Sequence, residues 1–117
     1  MSNTIPGGVG ARAALACVAA AIPAADRSAH FALVQRLFHR AVREQLELPN
    51  GYAFRFAAET FGEVARFMEN ERRCCPFLTF TIELAPDGGP LWLRITGPAE
   101  TRAFVSAELL GRQGEPV

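Results

Sequence analysis

Two breaks, Pro49-Asn50-Gly51 and Asp87-Gly88-Gly89, each stand between two short runs of apolar and β-branched residues. A connection that short joins only antiparallel neighbours, so each break predicts a hairpin. Residues 45–48 and 52–57 are the strands of the first. In the second, Leu78, Phe80, Ile82 and Leu84 alternate along residues 77–84. Leu91, Leu93 and Ile95 alternate on its return strand, with Trp92 on the opposite face.

The segments around the hairpins have helical period. Asp26 is placed to cap a helix over residues 27–43, whose stripe is Leu33, Val34, Leu37, Phe38, Ala41 and Val42. Arg36, His39, Arg40 and Arg43 lie on its other side and read as a solvated face. Thr60 is placed to cap a second helix running to about Cys74, with Glu63 as its capping-box partner. Gly97-Pro98 breaks the chain before a third helix over residues 99–110, with Phe104, Val105 and Leu109 inward. The fold class expected is α+β: a four-stranded antiparallel sheet from two hairpins with three helices packed on it, in the order α-ββ-α-ββ-α. The two strand-strand-helix halves read as a repeat of architecture, not of sites.

A chain of 117 residues is one domain. Half its residues are hydrophobic and nine are Phe, enough for a core without disulfide staples. The domain is expected over residues 11–111, after a polar, glycine-rich arm (1–10) and before a tail (112–117) that should fray. Residues 11–22 are alanine-rich, ambiguous between helix and strand, and end at Pro23. Twelve basic and twelve acidic residues balance, which argues against a nucleic-acid partner. Every basic residue is arginine, so a lysine Schiff base and a P-loop lysine are excluded. Arg12 followed by residues 13–22 resembles the start of a signal peptide, and Ala14-Leu15-Ala16-Cys17 a lipoprotein cleavage site with leucine one position out. The apolar stretch is short and mostly alanine, and no run approaches the ~18 residues of a membrane span. A cytoplasmic protein without a membrane partner is the expectation. A homodimer is compatible with nine Phe on a short chain, although no residue set marks an interface.

The chemistry concentrates in Glu71-Arg72-Arg73-Cys74-Cys75-Pro76-Phe77. Phe61, Val64, Ala65 and Met68 follow the spacing of a buried stripe, and its continuation reaches Glu71 and Cys75. A carboxylate thus interrupts the apolar face one turn before two thiols. Burying even a neutral polar group without a partner costs ~2–7 kcal/mol, so Glu71 needs an arginine, a proton or a metal. An ion pair with an arginine is the plain structural reading. Pro76 disfavours the helical region at Cys75, which should therefore leave the helix. That lets adjacent sulfurs converge, whereas neighbours inside a helix diverge by ~100°. The helix C-terminus opposes a thiolate there, while Arg72 and Arg73 favour one. A coordinated metal would deprotonate the thiol outright.

Adjacent Cα atoms lie ~3.8 Å apart, below the usual ~4.4 Å minimum for a disulfide, so Cys74 and Cys75 should not bridge each other. Three cysteines fit a disulfide scaffold poorly, and the thiols are expected reduced or metal-bound. Cys17 is the natural third ligand beside Cys74 and Cys75. Thiolates without C-x₂-C spacing suit Cu(I), Hg(II) or As(III) better than structural zinc. His30, on the edge of the first helix's stripe, is a candidate fourth ligand or else a packed or capping residue. No G-x-S-x-G, G-x-G-x-x-G or H-E-x-x-H occurs.

Leu48-Pro49-Asn50-Gly51-Tyr52-Ala53, the Glu71 to Phe77 run, Leu91-Trp92-Leu93-Arg94-Ile95-Thr96-Gly97-Pro98 and the upstream Ala16-Cys17 together resemble a family of small, mostly uncharacterised bacterial proteins. Their shared core is E-R-x-C-C-P-F with an upstream cysteine, and the resemblance covers residues 14–110. It implies that Cys17, Glu71, Cys74 and Cys75 belong together. In that family an acidic residue often follows the upstream cysteine; here it is Val18.

The leading expectation is a soft-metal or metalloid binder using a Cu(I)-, Hg(II)- or As(III)-class ion for handling or detoxification. Its partner would be the ion or a small thiol-reactive ligand. An alternative is a thiol-dependent enzyme. In one form Glu71 is catalytic, delivering a proton to a carbon leaving mercury; organomercurial lyases use two thiols and a carboxylate in this way. In the other, Cys74 is a redox nucleophile resolved by Cys75 or Cys17. The remaining reading is an α+β interaction module whose cysteines are core.

Overall fold

The computed structural model describes residues 18–111. The expected arm and tail lie outside the described residues. A 3₁₀ turn, Ala19–Ala21, leads into helix α1, Ala24–Arg36, which continues as a π-helical turn over Leu37–Ala41. Strands β1 (Glu44–Leu48) and β2 (Gly51–Phe56) form the first hairpin. A 3₁₀ turn, Ala58–Thr60, precedes helix α2, Phe61–Cys74. Strands β3 (Thr79–Leu84) and β4 (Leu91–Thr96) form the second hairpin. Helix α3, Thr101–Val105, widens into a π turn over Ser106–Leu110. The architecture is α+β, and the four strands form one antiparallel sheet in the order β1-β2-β4-β3.

The second strand of each hairpin is central. In the β2–β4 register Tyr52 faces Ile95, Phe54 faces Leu93 and Phe56 faces Leu91. Strand alternation puts all six on one face, where they are buried. Leu33, Val34, Leu37 and Phe38 of α1, Val64 and Phe67 of α2, and Val105 and Leu109 of α3 pack against that face. Phe38 stands edge-on to Phe54 and Phe67, both at 4.9 Å between ring centres. The edge strand β1 presents Gln45 and Glu47 in the rows of Phe54 and Tyr52, and both are exposed. A charged edge discourages pairing with another sheet. Gly51 permits the central pairing: a Cβ there would lie 1.9 Å from the Ile95 carbonyl oxygen.

Both expected helix caps are corrected. The residue before α1 is Pro23, and Asp26 sits inside the first turn, its amide donating to the Pro23 carbonyl at 2.8 Å. Thr60 already has helical backbone angles at the end of the 3₁₀ turn and makes no capping bond. Glu63 instead takes a salt bridge from Arg36 at 2.8 Å. The buried stripe of α2 is also rotated. It runs Val64, Phe67, Glu71, Cys74, while Phe61 is 43% exposed and Ala65 is exposed. Spacings of three, four and three keep this line beneath α1, and the larger Phe67 takes the inward position.

Candidate functional site

The last two turns of α2 position the site. Glu71 and Cys74 are three residues apart on the buried line, so their side chains lie over the same patch of core. The Cys75 amide donates to the Glu71 carbonyl at 2.7 Å, the last α-helical bond. At Cys75 the chain leaves the helix, with φ −130° and ψ 70°, as the following proline requires. The exposed carbonyls of a helix end need partners. Val18 N–H donates to the Cys74 carbonyl at 2.8 Å, and Leu78 N–H to that of Cys75 at 3.1 Å. The segment before α1 is thereby fastened to the end of α2.

This exit brings the sulfurs together. The Sγ atoms of Cys74 and Cys75 are 3.6 Å apart, and Cys74 Sγ is 4.0 Å from Glu71 Oε2. One ligand atom from each of Glu71, Cys74 and Cys75 lies within 4.8 Å of the others, and all three residues are buried. This group could hold a metal ion. Ile22 closes over both cysteines, with Phe77, Leu78 and Phe104 around it.

The partner of Glu71 corrects the sequence expectation. Among the described residues it is His30, not an arginine: His30 Nε2 lies 2.8 Å from Glu71 Oε2, with both side chains 8% exposed. Asn70 Nδ2 stands 3.4 Å from His30 Nδ1. With that amide donating to Nδ1, the ring carries its proton on Nε2 and donates it to the carboxylate; the tautomer is assigned from this network. The imidazole also stacks on Phe67, at 6.0 Å and 12° between planes, which ties the site to the main core. His30 is thus adjacent to the candidate ligand group through Glu71, not on the sulfurs.

Burial and carboxylates dominate the electrostatics around Cys74. Burial, then the neighbouring Glu71 carboxylate, push its thiol up from 9.0 to about 11; Glu108 adds in the same direction, and a backbone hydrogen bond opposes them. Cys74 is therefore a thiol at neutral pH, and a soft cation would relieve both the buried sulfur and the carboxylate. Cys75 is disulfide-bonded. For Cys75 this corrects the expectation of reduced or metal-bound thiols; Cys74 keeps its thiol, and the expectation that Cys74 and Cys75 do not bridge each other holds at 3.6 Å. Cys17, the expected third ligand, lies outside the described residues.

A pocket of about 630 Å³ opens beside Cys74. Cys74, Glu71 and His30 stand in its wall with Ile22, Val34 and Leu109. On its other side His30 borders a second, polar pocket of about 500 Å³ with Asn70, Arg36, Arg66 and Arg73. The sequence reading had missed Asn70, Phe67 and this pocket. Phe67 was visible as the alternative inward residue beside Met68; Asn70 and the pocket had no local signal. No described helix is long and apolar enough to cross a membrane. Comparison with family models, with curated proteins and with solved structures finds no match.

Proposed function

We propose that the reduced protein binds a soft metal or metalloid ion of the Cu(I), Hg(II) or As(III) class, for handling or detoxification. Cys74 and Cys75 supply thiolates, Cys17 supplies a third, and Glu71 is a nearby acceptor or an occasional ligand. The observation that carries this reading is the buried Glu71, Cys74 and Cys75 group with its ligand atoms inside 4.8 Å. Two thiolates and a carboxylate in an apolar surround favour soft ions over Mg²⁺ or Ca²⁺, which take oxygen ligands. With Cys75 in a disulfide, binding through both sulfurs requires prior reduction. The test is native mass spectrometry of reduced protein challenged in turn with Cu(I), Zn(II), Hg(II) and As(III), beside single Cys-to-Ser variants. One tightly bound soft ion per chain, lost in Cys17→Ser, Cys74→Ser and Cys75→Ser, is expected. Binding that survives all three substitutions would refute it.

One observation favours a second reading, thiol redox chemistry: the Cys75 disulfide has the Cys74 sulfur 3.6 Å away. Against it, a thiol held at about 11 is a poor attacking nucleophile at neutral pH. Turnover of a disulfide substrate that depends on Cys75 but not on any metal would select this reading.

A further inference from the structure

We infer that the ligand of this site is an organic derivative of the soft element, a monosubstituted arsenic(III) species with a compact apolar group, and not the bare ion alone. The inference rests on the metalloid-binding reading above and names its substrate class. Two features of the molecule meet here. The sulfurs of Cys74 and Cys75 are 3.6 Å apart, so one small atom can bridge them. The pocket of about 630 Å³ has Cys74 in its wall; the surface it offers is mainly apolar, from Ile22, Phe31, Val34 and Leu109, although Arg27 and Glu108 also border it. A volume of that size is ordinary for a small-molecule site, within the roughly 300–1,000 Å³ range. A bare ion would leave it unused.

The valences match. A species R–As(OH)₂ has two exchangeable hydroxyls and one carbon substituent. Reaction with the two thiols breaks two As–O and two S–H bonds, forms two As–S bonds and releases two waters. Arsenic stays trivalent, and no electrons are transferred. The third valence keeps its carbon group, which the adjoining pocket receives. Arsenite has three hydroxyls and exchanges the third only if Cys17 joins the pair, whereas the monosubstituted species is satisfied by Cys74 and Cys75 alone. Both thiols must be free, so the disulfide at Cys75 is first opened by a reductant; a phosphine with water serves, ending as phosphine oxide.

Ala32 provides the probe of the pocket. It lines the cavity from α1 yet is exposed, so a larger side chain there fills space without entering the main core. The experiment uses the full chain reduced with a phosphine. Affinities for phenylarsonous acid, methylarsonous acid and arsenite are measured by competition with dithiothreitol, which cancels each compound's intrinsic thiophilicity. Burying the ring's extra apolar surface predicts a phenyl-over-methyl preference of about ten-fold or more. Ala32→Trp should abolish most of that preference, weakening phenyl binding far more than methyl binding. Equal phenyl and methyl affinities, or a preference that Ala32→Trp leaves intact, would overturn the inference while the metalloid site stands. Failure of all three compounds to bind would overturn this inference and the As(III) branch of the reading beneath it, while Cu(I) and Hg(II) binding by the same reduced protein tests the site itself.

Discussion

Replacing Glu71 by Gln should lower the Cys74 pKa from about 11, by less than its full rise above 9.0. The thiol stands two units above its ordinary 9.0, and burial and the Glu71 carboxylate are the two largest causes, in that order. The carboxylate ranks second, so its share is smaller than that of burial and below the full two units. The opposing backbone hydrogen bond ranks below both, so burial alone still holds the thiol above 9.0 once the carboxylate is gone. One unit is ~1.4 kcal/mol. The assay is the pH dependence of iodoacetamide alkylation at Cys74, read by peptide mass spectrometry in a Cys17→Ser/Cys75→Ser background. Glu71→Gln should move the midpoint down and leave it above 9.0, because burial is the larger cause. An unmoved midpoint would show that the carboxylate does not face the thiol. A fall below 9.0 would show that burial is not the main cause.

The same thiol makes stability depend on alkaline pH. Its folded pKa lies above the unfolded value, so the contribution is complete below pH 9 and is lost as pH rises toward about 11. The total is about 2–3 kcal/mol, visible as a falling urea midpoint that Cys74→Ala should flatten. His30→Ala leaves Glu71 buried without its 2.8 Å partner and should cost about 1–3 kcal/mol. Arg36→Ala, which breaks an exposed pair with Glu63, should cost no more than about 1 kcal/mol in the same denaturation assay. Gly51→Ala forces a Cβ into the Ile95 carbonyl and should cost about 3 kcal/mol or more, measured by thermal unfolding.

Local signals carried the fold. Pro49-Asn50-Gly51 and Asp87-Gly88-Gly89 specified both hairpins, and the alternation of Leu91, Leu93 and Ile95 specified which face of β4 is buried. Pro76 was enough to eject Cys75 from its helix. The failures have physical causes. Asp26 and Thr60 are good capping residues, but Pro23 and the 3₁₀ turn at Ala58–Thr60 start their helices earlier in the chain. Phe67 and Met68 are adjacent apolar residues, and only the packing of α1 on α2 decides which turns inward. That Glu71 is buried was legible from its place among apolar residues. That its partner is His30 was not, because the pair is separated by 41 positions and meets only when α1 docks. The pocket was equally hidden, since its wall is assembled from α1, α2 and the end of α3.

The bond from Val18 N–H to the Cys74 carbonyl has a consequence for motion. This amide is sheltered only while the leading segment and the final turn of α2 stay joined. Its rate of deuterium uptake therefore counts how often the sulfur site comes apart. An occupied site should slow that clock at Val18, although the residue carries no ligand atom of its own.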